Sequence, residues 1–178
     1  HYVPKSEVLI SPDDRGFLFA DGVYEVVRSY YGSVFKLQAH LKRLQRSLDG
    51  LHIGFNNMRS ISDVIKNLIE NNNLSDSDTT VYIQITRGAA NRSHAFPQPS
   101  IPPTVYAFAN AFQAKEEQME NGVKVILSPD IRWTRCDIKS ISLLPNVLGA
   151  QAAIEAGSSE AVFYRDGVIT EGSHTNIF

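Results

Sequence analysis

Thr80 to Arg87 alternates without a break, with Val81, Ile83 and Ile85 on one side of the chain. A period of two holds this segment to a strand, because successive side chains of a strand point to opposite faces. Other segments carry a different period. Leu37, Leu41, Leu44, Leu48 and Leu51 lie three or four residues apart and predict a helix over 38–49, stopped by Gly50. Ser60 with Asp63 reads as a capping box opening a second helix, with Ile61, Val64, Ile65, Leu68 and Ile69 on its apolar face and Asn71-Asn72-Asn73 at its end. The mixture predicts an α+β chain.

Residues 17–36 read as a β-hairpin: Val23, Glu25 and Val27 alternate with Tyr24, Val26 and Arg28, and Tyr31-Gly32-Ser33 supplies the turn. Thr104 to Phe112 reads as a further strand. Gly88 to Pro103 is a long proline-bearing loop, and long loops in compact folds are more often functional than idle. Lys115 to Asn121 is polar and reads as a linker, so the expected domains are 1–114, a linker at 115–121, and 122–178. In the second domain, Pro145 opens a helix over 146–156 with Gly157 beyond its end. Glu160–Tyr164 and Val168–Thr170 form a hairpin across Arg165-Asp166-Gly167.

The bulk numbers exclude several function classes. The 178 residues carry a net charge of −2, which gives no electrostatic footprint for nucleic acid or an anionic membrane. No apolar run approaches the roughly 20 residues of a membrane span. The single Cys136 excludes an internal disulfide and fits a reducing, cytoplasmic setting. As a metal ligand or nucleophile it has no companion. Rossmann, Walker and nucleophile-elbow patterns are absent.

Four features carry chemistry, each beside a plainer account. Lys139, between Ile138 and Ile141 in Arg135-Cys136-Asp137-Ile138-Lys139-Ser140, is either a strand lysine with its head in solvent or a Schiff-base lysine whose pKa burial would lower. Glu171 is either a hairpin-end carboxylate or the partner of a protonated ring nitrogen, as a pyridoxal phosphate electron sink requires. Arg43 is either a surface arginine or a phosphate ligand. Arg92 and His94 are either solvated loop residues or a clamp for one carboxylate. His40 and His52 read as ordinary histidines.

Together these segments resemble the fold-type IV pyridoxal phosphate enzymes, the class IV aminotransferases. The resemblance rests on Asp14-Arg15-Gly16-Phe17-Leu18-Phe19-Ala20-Asp21-Gly22-Val23-Tyr24-Glu25-Val26-Val27, on Ile131-Arg132-Trp133 through Ile138-Lys139-Ser140, on Leu143-Leu144-Pro145-Asn146-Val147-Leu148, and on Thr170-Glu171-Gly172-Ser173-His174-Thr175-Asn176-Ile177-Phe178. Val23-Tyr24-Glu25-Val26-Val27 and the segment Ile85 to Pro97 are most similar to the D-amino-acid branch of that family. The resemblance implies a small N-terminal α/β domain followed by the first part of a larger C-terminal domain, and a chain that stops short of the family's usual length. It implies transamination between a D-amino acid and a 2-oxo acid. Lys139 would carry the cofactor, Glu171 and Arg43 would bind it, and Tyr24, Arg92 and His94 would hold the substrate carboxylate. It further implies a homodimer in which the 88–97 loop reaches the neighbouring active site. Aminodeoxychorismate lyase, branched-chain aminotransferase and a non-catalytic fragment remain as alternatives.

Overall fold

The computed structural model describes residues 1–178 as two compact units. The first unit comprises residues 1–113 together with 137–142, and the second comprises 114–136 with 143–178.

In the first unit, Asp14 caps a short helix, α1 (Arg15–Phe19), by accepting from the Gly16 N–H at 2.8 Å. The hairpin expected from residue 17 therefore begins later. Residues 17–19 are helical, Ala20 takes the left-handed conformation, and β1 runs over Gly22–Tyr30. Its returning arm, β2, is only Ser33–Val34. Helix α2 (Leu37–Gly50) keeps Gly50 inside its last turn, so this glycine is not the stop. Helix α3 (Met58–Asn71) starts earlier than the Ser60–Asp63 pattern suggested, because Asn57 is the cap and its side chain accepts from the Ser60 N–H at 3.0 Å. Strands β3 (Thr79–Thr86) and β4 (Thr104–Ala111) complete an antiparallel sheet of order β2-β1-β3-β4.

The two helices cover one face of this sheet. Val23, Val27, Val81, Ile83 and Ile85 from the strands meet Leu41, Leu44, Leu48, Ile61, Ile65 and Ile69 from the helices. Each such side chain, fully removed from water, contributes about 1.5–3 kcal/mol. The opposite face presents Tyr24, Val26 and Arg28 of β1 beside Tyr82 and Gln84 of β3 and Tyr106 and Phe108 of β4. Tyr24 stacks on Tyr82, which stacks on Phe108.

In the second unit, residues expected to link the domains contain helix α4 (Glu116–Asn121). Strand β5 (Val125–Pro129) pairs in parallel with β6 (Glu160–Arg165), and β6 pairs antiparallel with β7 (Val168–Gly172) across a turn with positive φ at Asp166 and Gly167. Helix α5 (Leu144–Glu155), with Pro145 in its first turn, lies against β6, and Gly149 and Ala153 meet Ala161 and Phe163 there. No helix is long and apolar enough to cross a membrane.

Candidate active site

Lys139 reaches its place through a strand-like addition to the first sheet. Beyond the short β2, the edge of β1 is free at residues 22–24. Residues 139–141 pair with that edge. The Tyr24 N–H donates to the Lys139 carbonyl at 3.0 Å, the Ile141 N–H donates to the Gly22 carbonyl at 3.1 Å, and Val23 bridges Ser140. Alternation does the rest. Ile138 and Ser140 are buried, with Ile138 in the helix-covered core, while Lys139 between them turns to the open face. Its own N–H donates to the buried Ser47 hydroxyl of α2 at 3.2 Å, fixing the segment from the other side. The Lys139 Nζ lies 3.2 Å from the Tyr24 hydroxyl and 4.3 Å from the centre of that ring. The expected burial is only partial. Ile138 is buried, Lys139 and Ile141 are half-buried, and Cys136 is exposed. An ammonium or amine placed over an aromatic face with one hydroxyl partner is held in position yet accessible.

Tyr24 belongs to the open-face aromatic row. Burial, followed by the neighbouring Tyr24 and Tyr106 phenols, pushes the Tyr82 hydroxyl up to about 12, so Tyr82 remains a neutral donor, to Gln84 Oε1 at 2.7 Å.

One residue along, Glu25 points the other way, into the core. A carboxylate there needs partners, and α2 supplies them. Arg43 donates through Nε to Oε1 at 2.5 Å and through Nη2 to Oε2 at 2.7 Å, and His40 Nδ1 lies 2.8 Å from Oε2. Burial pushes the Glu25 carboxyl up, but the Arg43 and His40 hydrogen bonds and charges outweigh it and hold the group below the usual range. Arg43 keeps two-fifths of its side chain exposed, and its Nη1 has no protein partner. It is thus oriented by Glu25 with donors to spare for an anion.

Arg92 and His94 lie in the irregular loop between β3 and β4 and are both exposed. The Arg92 guanidinium sits 5.2 Å from the Phe19 ring centre and the His94 ring 5.3 Å from the same ring. The two side chains share one aromatic support.

In the second unit, Glu171 is half-exposed and ion-paired with Arg132. Arg132 also forks onto the Asp130 carboxylate through Nε at 2.9 Å and Nη2 at 2.7 Å. Those hydrogen bonds, against burial and aided by Thr170, keep Asp130 well below the usual carboxylate range. Buried Glu160 accepts from the Ser173 N–H at 3.0 Å, the Thr175 hydroxyl at 2.8 Å and the Ser173 hydroxyl, with His174 Nδ1 at 3.0 Å. It ties down the residues that follow Glu171.

Sequence reasoning placed Lys139 and Tyr24 in one site, and they are in contact. It assigned no role to Glu25, Arg132 or Glu160, and His40, read as an ordinary histidine, pairs with Glu25. Glu25 was detectable, since it occupies the core side of an alternating strand between Val23 and Val27. The others take their partners from other segments: His40 from Glu25 of β1, Arg132 from Glu171 as well as from neighbouring Asp130, and Glu160 from Ser173 and Thr175.

Comparison with known proteins bears on the whole arrangement. Residues 22–178 match the model of the family described as amino-transferase class IV. The D-alanine aminotransferase of Staphylococcus epidermidis is 37% identical over 178 residues, 99% of this chain and 62% of that protein, so the chain spans about three fifths of this relative's length. Among solved structures, a fold IV-transaminase from Curtobacterium pusillum superposes with a TM-score of 0.80 at 18% identity, covering 96% of this chain and 60% of that one. A hypothetical aminotransferase from Mycobacterium tuberculosis in its PLP-bound form gives 0.82 at 20%, covering 96% and 62%. At such identities the structures establish the fold, which is that of fold-type IV transaminases. The chain belongs to the class IV aminotransferases.

Proposed function

We propose that the protein moves an amino group between a D-amino acid such as D-alanine and a 2-oxo acid such as 2-oxoglutarate, with pyridoxal 5′-phosphate as cofactor. The observation that carries this reading is the Lys139 amine on the open face of the first sheet, 3.2 Å from the Tyr24 hydroxyl.

The residues present fit the cofactor's chemistry. An accessible lysine suits its aldehyde, an arginine with a spare N–H suits its phosphate, and a carboxylate suits its ring nitrogen. Lys139 would carry the group, Arg43 would bind the phosphate, and Glu171 would hold a proton on the ring nitrogen, with Arg132 keeping the Glu171 carboxylate in place. When bound, pyridoxal phosphate supplies an electron sink for the bond being broken at the substrate Cα.

The chain's own residues do the remaining work. Arg92 and His94, with the Tyr24 hydroxyl, bind the substrate carboxylate and so fix which substituent of Cα faces the reacting amine. The Lys139 Nζ would take the Cα proton as general base in the half-reaction that yields the 2-oxo acid, and would give a proton to Cα as general acid in the half-reaction that yields the new amino acid. Tyr24 steadies the amine between those events. The similarity to D-alanine aminotransferases favours the D-enantiomer as substrate. We further infer a cytoplasmic homodimer in which the 88–97 loop serves the neighbouring active site, a role suited to a loop whose Arg92 and His94 face solvent.

The whole protein should convert D-alanine and 2-oxoglutarate to pyruvate and D-glutamate. Lys139→Ala should lower turnover by about three orders of magnitude or more, because both attachment of the cofactor and proton transfer are lost. Turnover of L-leucine but not D-alanine, or pyruvate release from aminodeoxychorismate without a 2-oxo acid, would replace this reading with a sibling activity.

A further inference from the structure

The loop that carries Arg92 and His94 is held by its backbone, and what holds it is a buried cluster of charges. Arg15 of α1 and Arg87 at the end of β3 both grip Asp21. Arg15 donates through Nε to Oδ2 at 2.8 Å, and Arg87 donates through Nε to Oδ2 at 2.7 Å and through Nη2 to Oδ1 at 2.9 Å. Burial pushes the Asp21 carboxyl up, yet the hydrogen bonds and charges of Arg87 and Arg15 prevail and hold it below the ordinary range. Both guanidinium groups are buried, so two positive charges face one negative charge out of solvent. An uncompensated buried cation is costly unless its remaining N–H groups find acceptors.

Those acceptors are backbone carbonyls, and their positions are informative. Arg15 spends its free fork on three consecutive loop carbonyls: Nη1 to Ser93 at 2.5 Å and to Ala95 at 3.4 Å, and Nη2 to His94 at 3.4 Å. Arg87 donates to the His52 carbonyl at 3.0 Å and the Leu51 carbonyl at 2.7 Å, while Phe96 stacks on it with the guanidinium 3.7 Å from the ring centre. Arg15 also lies 4.9 Å from the Phe19 ring, the ring that supports Arg92 and His94. The backbone from 93 to 95 is therefore pinned from inside, while the side chains of Arg92, just before it, and His94, within it, stay solvent-facing.

We propose that Arg15, oriented by Asp21 and Arg87, is a positioning residue for the substrate carboxylate: it preorganises the 92–95 segment so that Arg92 and His94 are presented as a pair. This rests on the reading of Arg92 and His94 as the carboxylate clamp. Arg15 itself touches no substrate. Its effect is to spare the ordering of the loop at the moment of binding.

The test uses the whole pyridoxal-phosphate-loaded protein. Arg15→Lys keeps a charge for Asp21 but loses the fork that reaches the loop carbonyls. It should raise KM for D-alanine and the Kd of propionate, an unreactive carboxylate read by calorimetry, by about tenfold, with kcat kept within about threefold. In an Arg92→Ala background the same substitution should add less than about twofold, because the group it positions is gone. An Arg15→Lys effect that falls on kcat alone, or that is equally large without Arg92, would overturn the proposal in favour of general destabilisation. Should Arg15→Lys not fold, Phe19→Leu removes the ring shared by Arg15, Arg92 and His94 while keeping the Asp21 ion pairs, and the same two criteria decide. Arg92→Ala that leaves both KM and propionate binding unchanged removes the clamp reading and this proposal with it. A strong Arg92→Ala effect beside a silent Arg15→Lys removes only the proposal.

Discussion

Helices α2 and α5 are of similar length and both lie on a sheet, but they keep their apolar residues in different ways. In α2 the leucines form one stripe, and Leu41, Leu44 and Leu48 are buried against β1, β3 and α3. In α5 the apolar residues run around the circumference. Only Gly149 and Ala153 are buried, while Leu144, Val147, Leu148 and Ile154 are exposed. The first unit has a closed core of thirteen buried apolar residues, whereas the second centres on Ala153, Ala161 and Phe163. A one-sided helix announces its own packing partner, and an all-round apolar helix does not. The candidate site residues divide along the same line. Lys139, Tyr24, Glu25 and Arg43 are positioned by a well-packed frame, and Glu171 is positioned by a network of charges and hydroxyls.

The sharpest way to break this contrast is a matched pair of leucines. Leu48→Ala should cost about 2–5 kcal/mol in urea unfolding, because it empties part of a sealed core. Leu148→Ala should stay within about 0.5 kcal/mol in this chain. Equal losses would mean that the α5 surface is covered. Next in size is Glu25→Gln, which leaves Arg43 and His40 without their carboxylate and should cost about 1–3 kcal/mol. It should also weaken retention of pyridoxal phosphate by the whole protein, through a loosened Arg43. Stability lost with cofactor affinity unchanged would detach Arg43 from the phosphate.

A smaller effect is expected at Gly149. A Cβ there would meet the Phe163 ring at 2.7 Å, a clash costing about 1–3 kcal/mol, partly offset by the roughly 1 kcal/mol that alanine gains over glycine in a helix. Gly149→Ala should therefore lower stability by about 1 kcal/mol, and a gain would show that the ring moves freely. Smallest per group is the pH dependence. Glu25, Asp21 and Asp130 are held below the ordinary carboxylate range in the fold. Their ionised forms stabilise the protein above the unfolded-chain values near about 4, and this stability is lost as pH falls through the lowered folded values. Unfolding midpoints should be flat from pH 7 to 5 and drop below that, with a shallower drop in Glu25→Gln.

Much of the frame was legible from spacing. Val81, Ile83 and Ile85 gave β3, and the leucine stripe gave α2, because one buried face imposes a period on the residues that fill it. Helix α1 was not legible, since its cap is one aspartate and its length five residues, too short to show a period. The capping box at Ser60 misled because Asn57, one turn earlier, makes the bond. The candidate site residues were proposed from the family's motifs, which carry no geometry. That Lys139 and Ile138 face opposite sides of a borrowed strand depends on residues 139–141 pairing with residues 22–24. The anchoring of the 93–95 carbonyls by Arg15 spans almost eighty residues, and no local pattern encodes it.

The most direct test of the central claim is a difference absorbance scan of the whole protein loaded with pyridoxal phosphate, with D-alanine or L-alanine added in separate runs and Lys139→Ala as the control. The expected result is a visible cofactor band that depends on Lys139 and is lost with D-alanine but not with L-alanine. A band that persists unchanged in Lys139→Ala, or that ignores D-alanine, would contradict the assignment of Lys139 and the D-amino-acid reading respectively.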